Sequence, residues 1–271
     1  MTLQAESQPS DGAPPAGPQT GGPRPLGEVA LSFENISMQF PDGTQALEDV
    51  SLTIRQNEFV SVVGPSGCGK STLLKIASGL FPQTSGIVKV DREQLGYTFQ
   101  DATLMPWRKV RGNVELLMEL RGYSKAERKR IALEQIKMVG LDGFADHYPK
   151  RLSGGMRMRA SLARSLALKP NVFMFDEPFG ALDEITRERL NDELVSLFMR
   201  NSFTGLFITH SIPEAVYLSS KVVVMSRRPG RILKEFDIPF AYPRDPNLRF
   251  SAEFAALCNE ISVSLRQAIE Q

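Results

Sequence analysis

Gly64-Pro65-Ser66-Gly67-Cys68-Gly69-Lys70-Ser71-Thr72 decides the reading of this chain. The stretch satisfies G-x-x-x-x-G-K-[ST], a loop that wraps the phosphates of a nucleoside triphosphate. Polyphosphate concentrates negative charge, so the protein must approach it closely with its backbone. Gly64, Gly67 and Gly69 let successive N–H groups turn inward as an anion nest, with Pro65, Ser66, Cys68 and Thr72 completing the cradle. Residues Ser71 to Ala77 read as a helix, whose N-terminus adds partial positive charge at the same place. Lys70 would reach the β- and γ-phosphates, and the Ser71 hydroxyl would complete the shell of a Mg²⁺ ion. The setting matters more than the string. Glu58-Phe59-Val60-Ser61-Val62-Val63 reads as a strand entering the loop, so the order strand, loop, helix is present.

The chain of 271 residues, 42% of them hydrophobic, can bury a sizeable core in one large or two small domains. A formal net charge of +1 gives no global field of the kind that marks a nucleic-acid binder. The basic clusters Arg128-Lys129-Arg130, Lys150-Arg151 and Arg227-Arg228 read as solvated faces. Two cysteines, Cys68 and Cys258, make no disulfide framework, which fits a reducing compartment. No stretch approaches the roughly 20 apolar residues of a bilayer span, and no signal pattern opens the chain, so a cytoplasmic location is expected.

Residues 1–27 are rich in Pro, Gly, Ser and Gln with few large apolar side chains, and are expected to form a disordered tail. Strands are expected over Leu31–Met38 and Ala46–Ile54, joined by the turn Pro41-Asp42-Gly43. Phe40 precedes that turn, and by periodicity alone is a core or hairpin aromatic. Ile87–Val90 and Leu95–Phe99 are strand-like, the second stopping at Gln100. From Asn113 the pattern turns helical, with Val114, Leu117 and Leu120 on one face. Ser124-Lys125-Ala126-Glu127 is a capping box for a further helix that ends at Gly140. The scarcity of strand signal from about 107 to 167 predicts a helical subdomain inserted into an α/β core.

Leu152-Ser153-Gly154-Gly155-Met156 opens another helix, with a capping Ser and two glycines that expose backbone N–H groups as a second anion site. Val172-Phe173-Met174-Phe175 reads as a buried parallel strand ending in Asp176 and Glu177 at the ligand crevice. There Asp176 can hold Mg²⁺, directly or through water, and Glu177 can face an attacking water. Ala181-Leu182-Asp183 leads into a helix with Leu190, Leu194 and Leu197 inward. Phe203–Thr209 is a strand with His210 just past its end, placed to donate to a γ-phosphate. Lys221–Met225 and Arg231–Ile238 form a hairpin around Pro229-Gly230. From Ser251 an amphipathic helix carries Phe254, Leu257, Ile261 and Leu265 on one stripe, so 241–271 reads as a C-terminal helical extension. Cys68, inside the nest, is expected either to favour its thiolate or to be an ordinary loop residue.

Taken in order, the phosphate loop, Gln100, Leu152-Ser153-Gly154-Gly155-Met156, Phe175-Asp176-Glu177-Pro178, Ala181-Leu182-Asp183 and Thr209-His210 resemble the ATP-binding-cassette (ABC) transporter ATPases. The resemblance implies an α/β P-loop NTPase core with an antiparallel β subdomain and an inserted helical subdomain, over 28–240. By that resemblance Phe40 stacks on adenine, Gln100 senses Mg²⁺ and the attacking water, Glu177 polarises the water and His210 positions the γ-phosphate. Ser153, Gly154 and Gly155, with Asp183, would serve the nucleotide of a second copy in a head-to-tail homodimer. Thr209–Val216 and Met225–Ile232 look like the nitrate, sulfonate and taurine importer branch, whose relatives also handle pyrimidine-type precursors. Met156 and Met158 stand where many relatives carry Gln. The implied partners are two integral-membrane permease subunits and, indirectly, a solute-binding protein, with no nucleic acid. The implied place is the cytoplasmic face of the inner membrane. The alternative is a soluble ABC ATPase of translation or DNA repair, although the long coiled coil or second cassette of those types is not found here.

Overall fold

The computed structural model describes residues 27–180 and 182–270. The expected tail, Gly27 apart, therefore lies outside the described residues, as does Ala181. β1 (Val29–Gln39) and β2 (Gln45–Arg55) pair antiparallel across the turn at Pro41-Asp42-Gly43, and β4 (Ser85–Val90) takes the other edge of β1. The second sheet runs in the order β5-β6-β7-β3-β8-β9, with β3 (Phe59–Val63), β5 (Leu95–Thr98), β6 (Val172–Asp176), β7 (Thr204–Ile208), β8 (Lys221–Met225) and β9 (Ile232–Asp237). All its neighbours pair parallel except β8 and β9, which form the expected hairpin.

Both faces of this sheet are covered, which is why its strands are continuous apolar runs rather than alternating ones. The period of two divides them between two cores. Phe59, Val63, Phe173, Phe175, Phe207, Val222 and Val224 point into a helical layer, whereas Val60, Val62, Val172, Met174, Leu206, Ile208, Val223 and Met225 meet the first sheet and α1 (Lys70–Ala77). The helical layer comprises α2 (Val110–Leu120), α3 (Lys125–Met138), α4 (Gly154–Leu166), α5 (Glu184–Asn201), α6 (Ile212–Leu218) and α7 (Ala252–Glu270). No strand lies between β5 and β6, where α2, α3 and α4 pack on one another. Ser124 caps α3 by accepting from the Glu127 N–H, and Ser211 caps α6 by accepting from that of Glu214, as their spacing implied. Phe254 and Ile261 of α7 are buried, and Leu257 and Leu265 pack beside them.

One expected helix face is wrong. α2 begins at Val110, three residues earlier than its pattern suggested, and buries Val110, Val114 and Met118, while Leu120 is 76% exposed. The buried residue that the apolar pattern missed is Asn113. Its amide donates to the Met105, Arg108 and Lys109 carbonyls and accepts from the Met105 N–H, so a polar side chain braces the entry into the helix and sets its rotation. β5 is also one residue shorter than expected, ending at Thr98 rather than Phe99.

Phe59 lies at the centre of the helical-side core, with ring centroids 5.4–6.4 Å from Phe175, Phe198, Phe203 and Phe207. Gly205 on β7 leaves it room, for a Cβ there would meet the Phe59 ring at 2.5 Å. Phe59→Ala should cost about 3–5 kcal/mol of stability, read as a lower urea midpoint at unchanged slope.

Candidate active site

β3, β7 and β6 are adjacent and parallel, so their C-terminal ends open onto one edge. The chain leaves β3 into the phosphate loop, β6 into Asp176 and Glu177, and β7 into Thr209 and His210. Three segments distant in sequence are thereby brought to one crevice, the place where open α/β sheets bind ligands.

The loop turns as its glycines allow. Gly67 has φ +75 and Gly69, the N-cap of α1, has φ +107; a Cβ on Gly69 would also lie 2.8 Å from the Ala46 carbonyl. Lys70 is buried and folds back over its own loop, Nζ donating to the Gly64 and Pro65 carbonyls at 2.9 Å each. Its side chain thus already spans the cradle that the loop N–H groups surround.

Beside the cradle, Ser71 Oγ donates to Asp176 Oδ1 at 2.7 Å, and the Tyr97 hydroxyl donates to Asp176 Oδ2 at 3.2 Å. Burial, reinforced by the Asp176 charge, raises the Tyr97 hydroxyl far above its ordinary value, so it stays a donor. Among the described residues no group of three or more His, Cys, Asp or Glu could hold a metal. A neighbouring hydroxyl and carboxylate fit Mg²⁺, which uses few protein oxygens and takes the rest of its shell from phosphate and water. Glu177 adopts φ +48, a left-handed backbone rare for a residue with a side chain, held by its N–H donating to the Ile208 carbonyl at 3.1 Å. Its Oε1 lies 2.7 Å from His210 Nε2.

Phe40, Asp42, Thr44, Ala46, Gly67, Gly69, Lys70, Ser71, Thr72, Glu177 and Arg228 enclose a cavity of about 390 Å³. Phe40 forms one wall, its ring edge-on to Phe81 at 6.2 Å. A larger hollow of about 550 Å³ sits at the opposite ends of the strands, by Asn57, Asn171 and Thr204, away from every motif.

Residues 47–180 match the family model described as ABC transporter. The chain is 46% identical over 237 residues to an uncharacterized ABC transporter ATP-binding protein of Methanocaldococcus jannaschii, covering 84% of this chain and 88% of that one. It is 43% identical to a taurine import ATP-binding protein of Rhizobium johnstonii, over 81% of this chain and 88% of the relative. The chain belongs to the ABC transporter family. Its fold is likewise that of a solved ATP-binding cassette, described as a dimer in a post-hydrolysis state bound to ADP and Pi. That structure has a TM-score of 0.70 and 32% identity, over 78% of this chain and 99% of the solved one.

In this ABC cassette the remaining motif residues stand away from the cavity. Gln100 is exposed two residues past β5 and does not line it. Ser153 caps α4, accepting from the Met156 N–H, and Gly155 packs against Thr186 at the start of α5. Asp183 caps α5, and the Thr186 N–H donating to its carboxylate holds it below the usual carboxylate range. Ser153, Gly154 and Asp183 are all solvent-exposed. Sequence reasoning missed Arg228, whose exposed side chain also lines the cavity, and Tyr97, whose only signal is an aromatic beside the crevice. Of the two readings of Cys68, the thiolate is the one that fails: the residue is 1% exposed, and burial pushes the thiol up despite nearby Lys70.

Beside Thr209, α6 carries a further buried carboxyl. Glu214 accepts from the Thr209 hydroxyl, its Oε1 is buried without a hydrogen-bond partner, and burial pushes its pKa from 4.5 up to about 7. The folded chain therefore holds a proton that the unfolded chain releases near 4.5, so stability falls as pH rises from there to about 7 and then levels. Glu214→Gln should escape that fall. Urea titrations should show its stability relative to the wild type rising by on the order of 3 kcal/mol from pH 4.5 to 7, with no further gain at pH 8.

Proposed function

We propose that the chain binds and hydrolyses ATP to power an ABC importer. The observation that carries this reading is the gathering of Lys70, Ser71, Asp176, Glu177 and His210 at one crevice, with the Ser71–Asp176 and Glu177–His210 contacts already formed. Phe40 offers its ring to adenine, while the N–H groups of Gly67 to Thr72 and the Lys70 ammonium neutralise the phosphates. Ser71 and Asp176 would hold Mg²⁺, which supplies charge neutralisation on the β- and γ-phosphate oxygens. Glu177 orients the attacking water and accepts its proton as the oxygen bonds to γ-phosphorus and the bond to the ADP leaving group breaks. His210 holds the Glu177 carboxylate and reaches the γ-phosphate. Gln100, which does not line the cavity here, would add a side-chain oxygen toward Mg²⁺ and the water.

The exposure of Ser153, Gly154 and Asp183, beside a buried Gly155, suits a head-to-tail homodimer, in which α4 of one copy caps the nucleotide of the other. ATP closes that dimer by contacting both halves, and hydrolysis removes the charge that held it. The likeness to a taurine import protein supports a small anion, such as an organic sulfonate, as cargo. Nitrate and pyrimidine-type precursors belong to the same reading. Two permease subunits would dock near residues 100–111 and receive cargo from a solute-binding protein. No described helix is long and apolar enough to cross a membrane. On this reading the permease subunits would hold the chain at the cytoplasmic face.

Lys70→Ala should lower ATP turnover by at least about 100-fold in a phosphate-release assay, and near-normal turnover would remove the assigned site. Glu177→Gln should bind ATP, hydrolyse it about 10²–10⁴-fold more slowly and accumulate a dimer. Gel filtration with ATP that shows only monomer would count against the sandwich.

A further inference from the structure

Between β8 and β9 the chain makes a tight turn, Ser226-Arg227-Arg228-Pro229-Gly230-Arg231, whose position is fixed on every side. Ser226 Oγ donates to the Arg227 and Pro229 carbonyls and accepts from the Arg231 N–H at 2.8–2.9 Å. Gly230 donates to the Ala46 carbonyl, and Glu48 donates back to the Gly230 carbonyl, tying the turn to β2. Arg231 forms an ion pair with Glu48 at 2.6 Å. The backbone of Gly230 presses so closely under the phosphate loop that a Cβ there would lie 2.1 Å from the Cys68 carbonyl. The turn is thus a wedge between β2 and the loop, and Arg228 projects from it.

The Arg228 side chain runs along the phosphate loop. Its Nε donates to the Gly67 carbonyl at 3.3 Å, and its Nη2 lies 3.3 Å from where a Cβ on Gly67 would stand. Across the cavity mouth, the Asp42 carboxyl is held low chiefly by hydrogen bonding from Thr44, with a smaller contribution from the Arg228 charge. Lys70 and Arg228 are the cations among the lining residues, against Asp42 and Glu177. Lys70 is 4% exposed and committed to the loop carbonyls, so Arg228 presents the exposed positive charge. Without it the lining carries one cation against two carboxylates, a poor balance for a polyanion.

We infer that Arg228 is a nucleotide-binding residue, its guanidinium forking onto the phosphate chain of the bound nucleotide from the rim beside Gly67. The inference rests on the ATP reading above and adds a ligand that the sequence motifs do not contain. A planar guanidinium matches phosphate oxygens two at a time, whereas a lysine would offer only a point charge. Because the turn is wedged in place, little ordering cost accompanies the contact.

Steady-state ATPase and equilibrium ADP binding on the full chain, with Arg228→Ala, Arg228→Lys and Lys70→Ala, test this. Arg228→Ala should raise the KM for ATP and the Kd for ADP about 10-fold together, with kcat within about 2-fold, and Arg228→Lys should recover part of the loss. The effect should shrink in high salt, since the guanidinium is exposed. A KM and Kd within about 2-fold of wild type would overturn the inference. So would a fall in kcat at constant KM, which would mark Arg228 as a latch on Gly67 alone. Lys70→Ala with intact turnover and ADP binding would instead sink the nucleotide site itself, an outcome separable from failure at Arg228.

Discussion

Three parallel strands ending on the same edge of one sheet are the constraint on which the rest of the molecule depends. β3, β7 and β6 are hydrogen-bonded neighbours, with Val62 opposite Ile208 and Ile208 opposite Asp176. Any slip of register by one residue would exchange the two faces of a strand, moving Phe59 or Phe175 out of the helical core. The double burial of this sheet therefore does more than stabilise the fold. It fixes where Gly64, Asp176 and Thr209 leave their strands, and hence where the chemistry can occur.

From that edge the site is held by short, specific contacts rather than by bulk. The Ser71 hydroxyl reaches Asp176, whose other oxygen receives the Tyr97 hydroxyl, so the carboxylate has little freedom to rotate. Glu177 pays a backbone strain on the order of 1–3 kcal/mol to turn its side chain toward His210. The strain is offset by its N–H bond to the Ile208 carbonyl and by the buried strand it terminates. Past the strand, the Thr209 hydroxyl donates to the Glu214 carboxyl and so ties the end of β7 to α6.

The two glycine-flanked helix starts at α1 and α4 are arranged very differently. α1 begins inside the crevice, whereas α4 begins at an exposed Ser153 with its first turn packed on the start of α5. A phosphate cradle with its own lysine faces inward, and a helix terminus without one faces outward. On the proposed head-to-tail arrangement, this asymmetry would let two copies close on charge that neither encloses alone. The wedge at Ser226–Arg231 is the counterpart on the inner side, linking the β hairpin, the second strand and the phosphate loop into one rigid rim.

The phosphate loop, its strand and its helix were legible because glycine, lysine and hydroxyl at that spacing serve one local geometry. The carboxylates after Phe175 and the histidine after Ile208 could also be read, since apolar runs of that length mark buried strands and the residue beyond marks the edge. The caps at Ser124, Ser153 and Ser211 followed from interactions within one turn. What needed the tertiary structure was everything decided by partners remote in sequence. Asn113 turned α2 by bonding carbonyls of the preceding loop, burial decided against the thiolate reading of Cys68, and Arg228 reached Gly67 because β8 pairs beside β3. Local sequence carries the chemistry of each residue. Solvent exclusion and charge proximity depend on which strands lie side by side, and only the packed fold decides those.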